Sequence, residues 1–208
     1  MRRRRIQIWG TAVVAIGWAA AVAIGLAGLL NYESAPGTVA NVPKAWPASG
    51  ISLSADGLTL VMLAHPHCPC TRASVGELAE VMARVKGKAT AYVLFAKPEG
   101  AGADWDDTSL RRSAAAIPGV TVLSDADSVE ARRFGAETSG HTLLFAPDGR
   151  LLFSGGITQS RGHAGDNAGA SAIVSLVHNQ KADHATTFVF GCSLPRVDTP
   201  PPATVAVK

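Results

Sequence analysis

The sequence predicts one α/β domain, built on a parallel βαβ unit and carried behind a single membrane-spanning helix. Three observations predict it. An uncharged apolar run fills residues 6–30, directly behind four consecutive arginines, Arg2 to Arg5. Two apolar, strand-like runs, Leu58 to Ala64 and residues 91–96, flank one amphipathic stretch. Further on, Pro147-Asp148-Gly149 separates two more short apolar runs, the signature of an antiparallel hairpin.

The first run is long enough to be an anchor. Its 25 residues, at ~1.5 Å rise each, reach roughly 37 Å, against a hydrocarbon core of ~30 Å. The chain is 47% hydrophobic and only 17% charged, a balance that such a segment explains. The positive-inside rule keeps the arginines in the cytoplasm and puts everything after Asn31 outside it. The expectation is therefore a single-pass inner-membrane protein held by residues 6–30, with a periplasmic domain. A cleaved leader is the alternative, but its apolar core would be only 7–15 residues long. The net charge of +3 belongs largely to the arginine cluster. What remains is slightly acidic, so no nucleic-acid surface is expected.

The expected organisation is a cytoplasmic cluster and anchor over 1–31, a linker over 32–50, a folded domain over 51–180 and a tail over 181–208. The linker holds Pro36, Pro43 and Pro47 and lacks periodicity, with Trp46 as the one residue suited to docking. Leu58 to Ala64 reads as a strand buried on both faces. Val75, Leu78, Met82 and Val85 recur at helical spacing, with Glu77, Glu80 and Arg84 opposite and Gly87 as the stop. Residues 91–96 form the second strand, parallel to the first because one helix joins them. A Gly- and Asp-rich loop with Trp105 follows, then a short helix over 109–116 and a strand over 120–123. Asp127 and Glu130 have capping-box spacing for the next helix. The hairpin runs from His141 to Ser154, Gly155-Gly156 permits close backbone approach, and a last helix over 167–178 starts from Asp166 as N-cap.

Chemistry concentrates in His65-Pro66-His67-Cys68-Pro69-Cys70-Thr71-Arg72, between the first strand and the first helix of the domain. It holds two of the three cysteines; an odd count with one close pair is no disulfide framework. Proline favours the first helical position, which makes Cys68 the expected N-cap. Free N–H groups and the helix dipole there favour a thiolate, the nucleophilic and metal-binding form of cysteine. His65, His67 and Arg72 add candidate positive charge. A Cys68–Cys70 disulfide would be a small strained ring, because residues i and i+2 of a helix point apart. Two thiolates and an imidazole would equally suit copper or zinc. Cys-x-x-Cys-His is missing, so covalent haem is not indicated, and the Gly-rich residues 160–169 lack the Gly-Lys-Ser/Thr of a phosphate loop.

The order of elements resembles the thioredoxin superfamily: a mixed sheet flanked by helices, with an inserted helix–strand–helix before the hairpin. HPHCPCTRAS, FGAETSGHTLLFAPDGRLLFSGGIT, SRGHAGDNAG and VFGCSL, in that order, resemble the small bacterial family labelled RedB, with some similarity to peroxiredoxin and Sco-like branches. The resemblance spans roughly residues 58–194. It implies a thiol–disulfide oxidoreductase acting on protein thiols or disulfides and needing no cofactor. Cys68 and Cys70 are then the catalytic pair, and His65, Pro66, His67, Arg72 and His141 shape the site. Two departures stand out. Thr71 occupies the position of the second cysteine of a thioredoxin Cys-x-x-Cys, and His141 occupies that of the cis-proline facing the cysteines. A histidine there is similar to the Sco copper chaperones. The alternative expectation is thus a copper-binding chaperone with Cys68, Cys70 and His141 as ligands. Cys192 has two readings, a packed small residue pinning the tail or a thiol that resolves a mixed disulfide at Cys68.

Overall fold

The computed structural model describes residues 2–38, 41–179 and 181–195. It contains two compact units, the N-terminal helix and a folded domain that begins at Pro36. The helix, α1, spans Arg2–Ser34, and its segment Trp9–Ser34 is long and apolar enough to cross a membrane. Thr11 and Ser34 turn their hydroxyls back onto backbone carbonyls four residues earlier, which lets a polar side chain sit on an apolar helix. The side chains of the arginine cluster lie outside the described residues, as does the tail beyond 195.

The domain is a five-stranded mixed sheet in the order β3-β2-β1-β4-β5. β1 (Leu58–Ala64) pairs in parallel with β2 (Ala89–Lys97), and β2 with β3 (Val120–Ala126). β4 (His141–Phe145) runs antiparallel to β1 and forms a hairpin with β5 (Leu151–Gly155). The helices are α2 (Thr71–Val85), α3 (Ser109–Ala115), α4 (Val129–Arg133) and α5 (Ala168–Val177). The central strand explains the architecture. Leu60, Met62 and Ala64 face one core with α2 and α5; Val61 and Leu63 face another with Phe134, Leu143 and Phe145. A strand with apolar side chains on both faces needs cover on both, and each fully buried side chain of that size is worth about 1.5–3 kcal/mol.

Two capping expectations change. The helix-capping carboxylate at α4 is Asp125, which accepts from the N–H groups of Glu130 and Ala131 at 2.8 and 2.9 Å; Asp127 and Ser128 instead turn through the left-handed region. The cap of α5 is Asn167, whose side chain accepts from Ala170 N–H at 2.7 Å, in place of Asp166. Residues 41–50 also lie along the domain. Ala45 bridges Arg150, and the Trp46 ring sits edge-on to Phe134 and Phe145 at 5.2 and 5.1 Å. The tail behaves likewise, with Thr186 bridging Ser154 and Ser193 bridging Thr138. At Gly155 and Gly156 a side chain would collide with the backbone of Thr187 and Phe188, so these glycines admit the tail against β5.

Candidate thiol site

β1 ends at Ala64, and the chain makes a tight turn before α2. Cys68 N–H donates to His65 O at 3.1 Å, and Thr71 N–H donates to Cys68 O at 3.2 Å. The helix therefore starts at Thr71 and its N-cap is Cys70, two residues later than the sequence suggested. Pro69 holds the intervening residue in the turn instead of opening the helix. Cys68 and Cys70 are both buried, at 2% and 8% exposure, and all three cysteines are free thiols.

The sulfur of Cys68 is an acceptor for several donors. Cys192 N–H points at it from 3.4 Å. The Cys192 thiol, the Thr71 hydroxyl and the Thr71 N–H reach it as well. Burial opposes ionisation, yet these hydrogen bonds together outweigh it and hold the Cys68 thiol below the range of an ordinary one. Behind Thr71 stands Ser139. Its Oγ lies 2.6 Å from Thr71 Oγ1 and accepts from His65 N–H at 2.7 Å. With the Thr71 proton directed at sulfur, the Ser139 hydroxyl must donate to Thr71, which gives the relay Ser139 to Thr71 to Cys68.

The other two thiols titrate the opposite way. Burial and the neighbouring Cys68 push Cys70 up, against the attraction of Arg161. Burial and the hydrogen bond to Cys68 push Cys192 well above an ordinary thiol, again opposed by Arg161. Cys68 is thus the thiol that ionises first. Arg161 also donates to Gly191 O at 2.5 Å, beside Cys192.

The predicted site residues divide. Pro66, His67, Cys68, Pro69 and Arg72 do share a cleft of about 310 Å³ with Ser109 and Leu110. His65 and His67 stack edge-on against Trp105, which is itself anchored by Nε1–H to Ala96 O at 3.2 Å. His65 does not supply the expected charge. Burial, then His67, holds His65 below its ordinary range, so it is neutral at pH 7. Arg72 is exposed and donates to Ser109 Oγ at 3.2 Å. The cation that acts on Cys70 and Cys192 is Arg161, which the sequence did not single out.

His141 has other neighbours. It opens β4 opposite Leu63, 2% exposed, with Nε2 2.9 Å from Ser154 Oγ. Burial alone pushes it down to about 4. The residues that reach the thiol turn from this side are Ser139 and Gly140, whose N–H donates to Leu63 O at 2.8 Å. Among the described residues no three His, Cys, Asp or Glu side chains converge as metal ligands, so the Cys68, Cys70 and His141 donor set for copper is not assembled. His141 lines a different cleft of about 900 Å³, with Ser154, Asn167 and Thr187, and no cysteine borders it. We place the chemistry at the smaller cleft, because that is where the ionisable thiol lies.

The four strings distant in sequence meet here. Cys68 and Thr71 come from the first, Ser139 from the second, Arg161 from the third and Cys192 from the fourth. No family model matches the chain, and no curated protein matches it. Solved structures do match. A hypothetical protein from Sinorhizobium meliloti 1021 superposes with TM-score 0.58 at 16% identity, over 78% of this chain and 98% of that one. An uncharacterized conserved protein from Geobacillus kaustophilus gives 0.58 at 14%, over 80% and 95%. A secreted disulfide oxidoreductase of Mycobacterium tuberculosis gives 0.46 at 20%, over 64% and 93%, a likeness too loose to speak to activity. The domain has a thioredoxin-like fold: a central mixed sheet whose first strand delivers a cysteine to the start of a helix.

Proposed function

We propose that this chain is a membrane-anchored thiol–disulfide exchange protein whose domain works outside the cytoplasm on protein thiols or disulfides. The observation that carries the reading is the Cys68 sulfur, buried and surrounded by N–H, O–H and S–H donors. A thiolate so stabilised attacks one sulfur of a partner disulfide and forms a mixed disulfide, releasing the other sulfur as a thiolate that takes a proton from water. Cys70 stands next to it in the Cys-Pro-Cys turn. The cleft beside His67 and Arg72 offers the partner peptide a place to lie. α1 supports the anchored topology, with the arginine cluster inside and the domain in the periplasm. The RedB resemblance agrees with this reading through the two strings that carry the cysteines.

The test is the rate of iodoacetamide alkylation at Cys68 against pH, in full-length protein solubilised in detergent. The expected midpoint lies below that of a free thiol, with stoichiometric mixed disulfide formed from a small aromatic disulfide at neutral pH. A Cys68 that titrates as a free thiol and exchanges no faster than one would overturn the proposal.

A further inference from the structure

The exchange reading leaves open which thiol completes the reaction, and the geometry points to Cys192: we infer that the working redox pair is Cys68–Cys192, closed between β1 and the C-terminal tail, and not the adjacent Cys68–Cys70. This inference rests on the proposed exchange activity and specifies its second thiol.

Cys192 is held to this position from both sides. Ser139 N–H donates to Cys192 O at 2.8 Å, and Leu194 N–H donates to Glu137 O at 2.9 Å. Arg161 clamps Gly191 O. At Gly191 a side chain would run into the Ser139 carbonyl, so only glycine lets the tail approach this closely. The segment that receives the tail is the one that receives the thiol turn, through Ser139 and Gly140. Cys192 is therefore registered against Cys68 by backbone hydrogen bonds, and its own N–H donates to the Cys68 sulfur at 3.4 Å. A disulfide there needs an approach of the two sulfurs with little backbone rearrangement.

Cys70 is placed less favourably. It has helical backbone angles, φ −65° and ψ −33°, and its carbonyl accepts from Ala73 N–H. Joining it to Cys68 through one proline would twist the turn and break the Thr71 N–H bond to Cys68 O.

Cys68 thiolate attacks a partner disulfide R–S–S–R′, and R′–S⁻ leaves and is protonated. In Cys68–S–S–R, the negative charge that held the Cys192 proton in place is gone, while Arg161 remains. Cys192 then attacks the Cys68 sulfur, its proton passes to the departing R–S⁻, and Cys68–S–S–Cys192 forms. The partner disulfide is reduced by two electrons and the dithiol is oxidised by two; the reverse sequence oxidises a partner dithiol. Arg161 is a positioning residue for the second step, because it steadies the Cys192 thiolate without touching the partner.

The test uses full-length protein in detergent, reduced and then exposed to a limited amount of oxidised glutathione. Acid trapping, alkylation and peptide mass mapping identify the bonds. Wild type and Cys70→Ser are expected to give an intramolecular Cys68–Cys192 disulfide, and Cys192→Ser to accumulate glutathione on Cys68 at least tenfold over wild type. Arg161→Gln should move the pH profile of resolution upward while leaving that of Cys68 alkylation in place. A Cys68–Cys70 bond in wild type, with Cys192→Ser resolving normally, overturns the inference but keeps the exchange function. Absence of any adduct on Cys68 in the Cys70→Ser, Cys192→Ser double variant overturns the exchange function itself.

Discussion

His141 lets acid stability be worked out from one residue. It is neutral in the folded protein, with its ring pushed down to about 4 by burial, and Nδ1 has no hydrogen-bond partner. In the unfolded chain it titrates near the ordinary ~6.5. Between those two values the unfolded state binds more protons, so stability rises with pH across the window and falls as the protein is acidified. At pH 7 the residue contributes almost no pH-dependent term. At pH 5 the unfolded imidazole is protonated and the folded one is not, which works out to about 2 kcal/mol lost relative to pH 7. The full separation of the two values corresponds to roughly 3 kcal/mol. The perturbation is His141→Gln, which can still hydrogen-bond Ser154 but cannot titrate. Urea unfolding of the full-length protein, followed by tryptophan fluorescence at pH 7 and pH 5, supplies the numbers. Wild type should weaken by about 2 kcal/mol more than the variant over that interval, whatever the variant's own stability at pH 7. Asp106 and Glu130, which gain stability above the carboxylate range, titrate in both proteins and drop out of the comparison. Equal losses in the two proteins would show that His141 is not buried and neutral, and would refute the reasoning.

Three further outcomes follow from the site. Thr71→Val removes the hydroxyl that donates to Cys68 and keeps the shape; alkylation of Cys68 at pH 7 should slow roughly tenfold, the equivalent of about 1.4 kcal/mol for a hydrogen bond to a charged acceptor. Gly191→Ala drives a methyl group into the Ser139 carbonyl; it should cost about 1–3 kcal/mol and make Cys192 as reactive to maleimide as an exposed thiol, measured by timed labelling and mass spectrometry. Copper(I) titration of the reduced protein should show any binding unchanged in His141→Ala, because His141 faces Ser154; loss of stoichiometric binding in that variant would restore the chaperone reading.

The strands and helices were legible because their signals are local. The near-continuous apolar run from Leu58 to Ala64, broken only by Thr59, has no stable place except a doubly covered strand, and the spacing of Val75, Leu78 and Met82 fits only a helix. The caps were less legible, since Asp125 and Asp127, or Asp166 and Asn167, offer the same chemistry one or two residues apart. Which one caps depends on where the preceding strand or loop ends in space. The start of α2 slipped for a related reason. Pro69 suits the first turn of a helix and the turn before it equally well, and the hydrogen bond from Cys68 N–H to His65 O selects the latter. Ser139 and Gly140, which reach the thiol turn, were not singled out, because hydropathy does not tell a strand's first residue from the loop before it.

The tail was the least legible part and matters most to the site. Residues 181–195 have weak periodicity, and their attachments are backbone hydrogen bonds: Cys192 O from Ser139 N–H, Leu194 N–H to Glu137 O, Thr187 N–H to Ser154 O. Such bonds leave almost no trace in side-chain type. What trace there is lies in the glycines. Gly155, Gly156 and Gly191 sit where two chain segments touch and a Cβ would not fit, so they mark a docking seam even without a hydrophobic pattern. Phe190-Gly191-Cys192 thus holds two signals side by side, a close approach and a thiol. Together they indicate what neither does alone, that the tail is brought against another part of the chain at a point where sulfur chemistry is possible. Cys68 is that point. The unusual Cys-Pro-Cys spacing then loses its paradox: a second cysteine at the position of Thr71 is unnecessary when the tail supplies one, and Thr71 is free to serve as the hydrogen-bond donor that ionises the first.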